Sequence, residues 1–241
     1  MIKGVVFLLV VYLVYTAVKS LILLRNGSQL IIANNGNGYY TLGNPKNPQL
    51  TYLVMGDSTA VGVGASSLER TYHYQVAKKI ADKGNFVKVT NIAESGATVA
   101  DVVAQQLPKI AEIKAKVISI SIGGNDATHM TSHVSFEKNM KIIIAAFNES
   151  GAQTVLFGST PNMFAIPALP RWFSHLAGVR SMAQNEATKQ LLPENIAYID
   201  IFNKARLQGL PDYANDWFHP NDKGYERWSK AFTEAMVRKG T

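Results

Sequence analysis

The chain has 241 residues, a net charge of +7 and 47% hydrophobic residues. That suits one ordinary domain with an appendage and enough apolar side chains for a buried core. Its lysines are dispersed, with no dense basic run interleaved with aromatics, which argues against a nucleic-acid partner. A solvated basic surface that attracts anionic lipid or polymer fits better. There is no cysteine, so disulfides, thiolate metal sites and a cysteine nucleophile are excluded.

Residues 4–24 read GVVFLLVVYLVYTAVKSLILL, apolar on every face with one lysine near the far end. At 1.5 Å per helical residue this stretch spans roughly 31 Å, about the hydrocarbon thickness of a bilayer. Region 1–25 is therefore expected to be a membrane anchor, with a signal peptide as the competing reading. Tyr15 stands where cleavage after Ala17 would want a small residue, which favours a retained helix. Flanking charge is nearly balanced, Lys3 on one side and Lys19 and Arg25 on the other. The short N-terminal tail then points to an extracytoplasmic domain. Residues 26–49, rich in Asn, Gly and Pro, are expected to form a tether. It is either disordered or folded into a small hairpin of residues 29–33 and 39–42.

From residue 50 onward, strand and helix patterns alternate. Strands are expected over 50–55, 86–91, 116–122, 153–157 and 197–201, and the third, KVISISI, has the β-branched content of a buried strand. Helices are expected over 67–83, from 99 with a break near Pro108, and over 135–149, 173–191 and 223–238. Such alternation means βαβ units. The expected fold is a three-layer α/β/α sandwich on a mostly parallel five-stranded sheet, with 50–241 as one domain.

In such a sheet, functional residues gather just beyond the carboxyl ends of strands. Four clusters qualify. Gly56-Asp57-Ser58 follows the first strand, and the block from Asn91 to Thr98, with Gly96, follows the second. Gly123-Gly124-Asn125-Asp126 follows the third, and Asp216-Trp217-Phe218-His219 precedes the last helix. Ser58 is a candidate nucleophile, although Asp57 or Ser58 also suits a helix cap. The Gly96 backbone N–H and the Asn125 amide are candidate oxyanion donors. Asp216, three residues before His219, can accept from the imidazole Nδ1 and leave Nε2 free as a base. Pro220 suits the first turn of a helix, which would seat His219 at a helix entrance.

Together the four clusters resemble the SGNH hydrolase superfamily, also called GDSL-type esterases and lipases, and in particular its bacterial, lysophospholipase-like branch. The resemblance covers the chain from about residue 50 and implies a flavodoxin-like fold. It implies Ser58 as nucleophile and, through its own amide, as oxyanion donor together with Gly96 and Asn125. His219 would be the base and Asp216 the residue that orients it. The implied activity is hydrolysis of carboxylic esters, lipid, lysophospholipid or short-chain, through an acyl-serine, with no cofactor and no metal. Deacetylation or acyl transfer on cell-surface polysaccharide or peptidoglycan is the alternative, and a non-catalytic lipid- or carbohydrate-binding module a third. The expected partners are the small-molecule, lipid or glycan ester and, through the N-terminal helix, a membrane.

Competing motifs are weaker. No serine lies in the G-x-S-x-G elbow of the α/β-hydrolases. Gly62 and Gly64 lack the third glycine of a dinucleotide loop, whose place Ser67 takes. His129 and His133 have metal-ligand spacing without an evident third ligand. His73 and His175 have no partner legible in sequence. Phe164, Ile166 and Leu169, within residues 159–170, are expected to form a lip of the acyl or leaving-group pocket.

Overall fold

The computed structural model describes residues 2–27 and 38–238. Helix α1 (Ile2–Gly27) contains a window, Val5–Ile22, long and apolar enough to cross a membrane by length and composition, with only 6% of it buried. A helix so apolar and so exposed is not serving as a core helix of the domain.

The remaining elements run in order as β1 (Gly38–Leu42), β2 (Gln49–Gly56), α2 (Ser58–Val61), α3 (Tyr72–Ala81) and β3 (Phe86–Asn91). A broken helical run follows: α4 (Val99–Asp101), a π-helical segment (Val102–Gln106), a 3₁₀ turn at Pro108 and α5 (Ile110–Ile113). Then come β4 (Val117–Ser121), α6 (Gly124–Thr128), α7 (His133–Glu149), β5 (Thr154–Gly158), α8 (Arg171–Leu191), β6 (Ile196–Ile199) and α9 (Asp222–Arg238).

The sheet order is β1-β3-β2-β4-β5-β6. Strands β2 to β6 pair in parallel, and β1 lies antiparallel against β3. The alternation of side chains along a strand divides the core in two. Tyr52 and Val54 of β2 face a cluster with α3 and α9, whereas Leu53 and Met55 face one built on α7 and the broken run. The five parallel strands and the α/β/α layering are those the sequence pattern predicts.

Strand β1 is a sixth strand, within the segment expected to be a tether, so the sheet begins at Gly38. It alternates half-buried and exposed residues, and the Tyr40 hydroxyl reaches His73 Nδ1 at 2.9 Å. The other arm of the expected hairpin, residues 29–33, lies outside the described residues. The helix expected over 67–83 is shorter because Thr71 takes the N-cap position and accepts from the Tyr74 amide.

Candidate active site

The site begins where β2 runs out. Gly56 has φ of 125°, and a Cβ there would sit 2.0 Å from the Ser121 carbonyl oxygen, so only glycine lets β2 lie this close to the end of β4. Asp57 then caps α2, its Oδ1 accepting from the Thr59 amide at 2.9 Å and the Thr59 hydroxyl at 2.7 Å. Burial pushes the Asp57 carboxyl up to about 6, against the lowering effect of these hydrogen bonds. Ser58 is the first residue of α2, a short helix closed by Gly62 in the left-handed conformation. From α9, the buried Tyr225 hydroxyl holds this turn by donating to the Val63 carbonyl at 2.8 Å and the Thr59 carbonyl at 3.2 Å.

The loop before α9 delivers the other half. Trp217 takes a positive φ of 57°, uncommon for a bulky residue, which tightens the turn around Asp216. The Ala214 amide donates to the His219 carbonyl at 2.8 Å, and Tyr213 bridges Pro220. Asp216 is 1% exposed. Its Oδ1 accepts from the Phe218 and His219 amides, both at 3.0 Å, and its Oδ2 lies 2.5 Å from His219 Nδ1. Burial raises this carboxyl, but the His219 ring and the two amides outweigh it and hold Asp216 below the usual carboxylate range. His219 Nε2 lies 2.8 Å from Ser58 Oγ. A carboxylate fixed on Nδ1 sets the tautomer that leaves Nε2 as acceptor for the serine proton.

Pro220 does not open a helix, contrary to the expectation from sequence. Helix α9 starts at Asp222, and Asn221 caps it by accepting from the Lys223 and Gly224 amides at 3.0 and 3.1 Å. Pro220 belongs instead to the bridge that fixes the histidine loop.

Gly96 and Asn125 stand at the ends of β3 and β4, as expected. Gly96 has φ of 86° with open space where a Cβ would lie, so its backbone conformation, not crowding, selects glycine. Among the described residues its N–H and that of Ser58 donate to no acceptor. Asn125 Nδ2 donates to the Ala97 carbonyl at 3.0 Å, which orients the amide and leaves its second N–H unspent. Three unspent donors therefore lie on the turns that follow β2, β3 and β4.

One supporting residue escapes sequence reading. Gln106, fully buried in the π-helical segment, accepts from the Gly56 amide and donates to the Gly56 carbonyl, each at 2.9 Å. A π-helical turn often marks a functional position, but nothing in the primary pattern reveals one.

Ser58, Asn125 and His219 line one pocket of about 550 Å³, its open mouth included. Its walls are mostly apolar, with Met163, Ile166, Ile201, Leu207, Tyr213 and Phe218, and Arg206 is its one cation. Of the expected lip, Ile166 lines the pocket. Phe164 instead packs edge-on to His175, and Leu169 joins a neighbouring cluster. His133 pairs with Glu137 at 3.6 Å, and no group of metal-binding residues occurs among the described residues. His73 is a core residue, and burial pushes it down to about 3.

Esterase TesA of Pseudomonas aeruginosa is 29% identical to the chain over 108 residues, 45% of this chain and 53% of that protein. The GDSL-like esterase Rv1075c of Mycobacterium tuberculosis is 26% identical over 183 residues, 72% of this chain and 57% of that protein. The chain thus spans little more than half the length of either relative. Among solved structures, the fold matches the lipase Lip_vut3 from a goat rumen metagenome with a TM-score of 0.63 at 23% identity, covering 77% of this chain and 97% of that one. A crystal structure of a protein named TesA matches with a TM-score of 0.60 at 24% identity, covering 78% and 99%. Axe2, an acetylxylan esterase from Geobacillus stearothermophilus, matches with a TM-score of 0.60 at 16% identity, covering 81% and 95%. With the GDSL-like lipase/acylhydrolase model matching residues 54–227, the chain belongs to that family.

Proposed function

We propose that the protein is a serine esterase in which Ser58, His219 and Asp216 act as nucleophile, base and orienting carboxylate. The observation that carries this reading is the continuous chain Asp216 Oδ2–His219 Nδ1 at 2.5 Å and His219 Nε2–Ser58 Oγ at 2.8 Å. Ser58 Oγ attacks the ester carbonyl carbon while His219 Nε2 takes the hydroxyl proton. The negative charge that develops on the carbonyl oxygen is received by the Ser58 and Gly96 amides and the Asn125 side chain. Collapse expels the alcohol, which takes the proton from His219 and leaves an acyl-serine. A water then attacks the acyl carbon while His219 takes its proton; the acyl–Oγ bond breaks, Ser58 Oγ takes that proton back and the acid leaves.

The apolar pocket walls favour an acyl group, short-chain or lipid, as the part of the substrate held there. Deacetylation or acyl transfer on a cell-surface glycan is the second reading, favoured by Arg206 at the pocket and by the net charge of +7. We further propose that α1 is a retained membrane anchor with the catalytic domain on the extracytoplasmic side, supported by the apolar window Val5–Ile22.

The test is a hydrolysis profile of the full chain on aryl esters of graded acyl length and on acetylated glycans, with Ser58→Ala as control. Activity that survives Ser58→Ala in full contradicts the assignment. A preference for long acyl chains supports the lipid reading, and release of acetate from glycan supports the second.

A further inference from the structure

A second cleft lies behind the pocket. It is bounded by α8, the outer strand β6 and α9, and it encloses about 1170 Å³ counting the space open to solvent. Five cations line it, against two carboxylates. Arg227 is committed to Asp212 at 2.8 Å, and Asp200 to the Asn203 amide at 2.9 Å. Lys189 sits over the Tyr198 ring at 5.4 Å. Lys204, Lys230 and Arg238 form no ion pair among the described residues. Five cations less the two carboxylates, Asp200 and Glu234, leave three net positive charges on the lining, which raise the positive potential of the cleft.

The cleft and the active-site pocket share a wall. In the loop after β6, Ile201, Arg206 and Leu207 line the pocket, whereas Asp200, Lys204 and Ala205 line the cleft. On α9, Trp228 lines the pocket while Arg227, Lys230 and Ala231 line the cleft. One strip of chain thus carries Arg206 towards the ester site and Lys204 towards the basic cleft.

We propose that this cleft is a secondary binding site for an anionic glycan, a chain bearing carboxylate or phosphate groups, with Arg206 continuing the same track to the ester pocket. The continuation rests on the esterase reading; the binding itself does not. A bilayer surface fits less well, because no exposed large apolar side chain lines the cleft to insert into lipid. Nucleic acid fits less well because the one aromatic ring, Tyr198, is half-buried and covered by Lys189, which leaves no stacking platform.

The experiment compares the full chain in detergent with a Lys204→Gln, Lys230→Gln, Arg238→Gln triple variant. Fluorescent polygalacturonate and phosphorylated dextran are the anionic probes, and unmodified dextran is the neutral one. Single-stranded DNA and phosphatidylglycerol vesicles are the competing polyanions. The expected result is salt-sensitive binding of an anionic glycan that weakens about tenfold or more in the variant, with no binding of neutral dextran. The melting temperature and hydrolysis of a neutral aryl ester should not change. The inference is overturned if neither anionic glycan binds the wild-type chain at low salt, or if the variant binds them equally well. It is also overturned if the substitutions affect only DNA or vesicle binding. Because binding is read without turnover, a chain that binds the glycan yet hydrolyses no ester keeps this inference and removes the esterase reading.

Discussion

Gln106 and Gly56 exchange two hydrogen bonds of 2.9 Å, side chain to backbone in both directions, in the fully buried space beside the end of β2. The carboxamide acts as a surrogate peptide group, giving Gly56 the partners that a neighbouring strand would otherwise supply. Two residues later the chain presents Ser58. Gln106→Leu keeps the volume but strands the buried Gly56 N–H, while the Gly56 carbonyl keeps the Glu94 amide at 3.0 Å. It should lower stability by roughly 1–3 kcal/mol, the cost of one unsatisfied buried donor. Chemical denaturation measures that loss, and kcat should fall with it because the serine turn loses its anchor. A variant with unchanged stability would show that water takes over the bracing.

The oxyanion donors make separable predictions. Asn125→Ala should cost about 10²–10³-fold in kcat with little change in KM, the usual scale for one such donor. Gly96→Ala has room for its methyl but must hold φ of 86°, so its penalty is conformational. Steady-state kinetics and melting curves separate the two, since Asn125→Ala should melt near the wild-type temperature and Gly96→Ala below it.

Asp57 gives a pH-dependent prediction. Its carboxyl is raised to about 6 in the fold from an ordinary value of 3.8, mainly by burial. Between these values the folded chain holds a proton that the unfolded chain releases, so stability falls as pH rises from about 4 to about 6. A shift of this size corresponds to roughly 3 kcal/mol. Asp57→Asn keeps an acceptor for Thr59 and cannot ionise. Urea unfolding at pH 4 and pH 7 should therefore show a wild-type decline that the variant lacks, superimposed on whatever Asp126 contributes, since burial raises that carboxyl to about 6 as well.

Asp216 acts in the opposite sense. Its carboxyl is held below the ordinary range, so its stabilising contribution is present above the unfolded value and is lost as pH falls through the folded one. Asp216→Asn should leave the fold intact and reduce kcat by about 10⁴-fold, since an amide on Nδ1 permits the wrong imidazole tautomer. A loss of less than tenfold would mean that the imidazole keeps its working tautomer without the carboxylate.

The parts of the molecule that sequence revealed are those governed by local pattern. Alternating strand and helix periods located β2 to β6, and the turns after them held Ser58, Gly96 and Asn125. The spacing of Asp216 and His219 carried their contact. The extended arm over residues 39–42 was legible as half of a hairpin, but the antiparallel pairing of β1 with β3 was not, because that pairing is a tertiary event. Gln106 was hidden for a similar reason, since only the π-helical offset turns its side chain onto Gly56. The capping role of Asp57, by contrast, could be read from its place before a short helix, and it coexists with the exposure of Ser58 to His219.

The central claim is that Ser58, activated by His219, forms a covalent bond to an electrophilic centre. Intact-mass analysis of the full chain after treatment with a fluorophosphonate, followed by peptide mapping, tests it most directly. One adduct on Ser58, absent from both Ser58→Ala and His219→Ala, is the predicted result. An unlabelled wild-type chain, or an adduct that persists in Ser58→Ala, would contradict it.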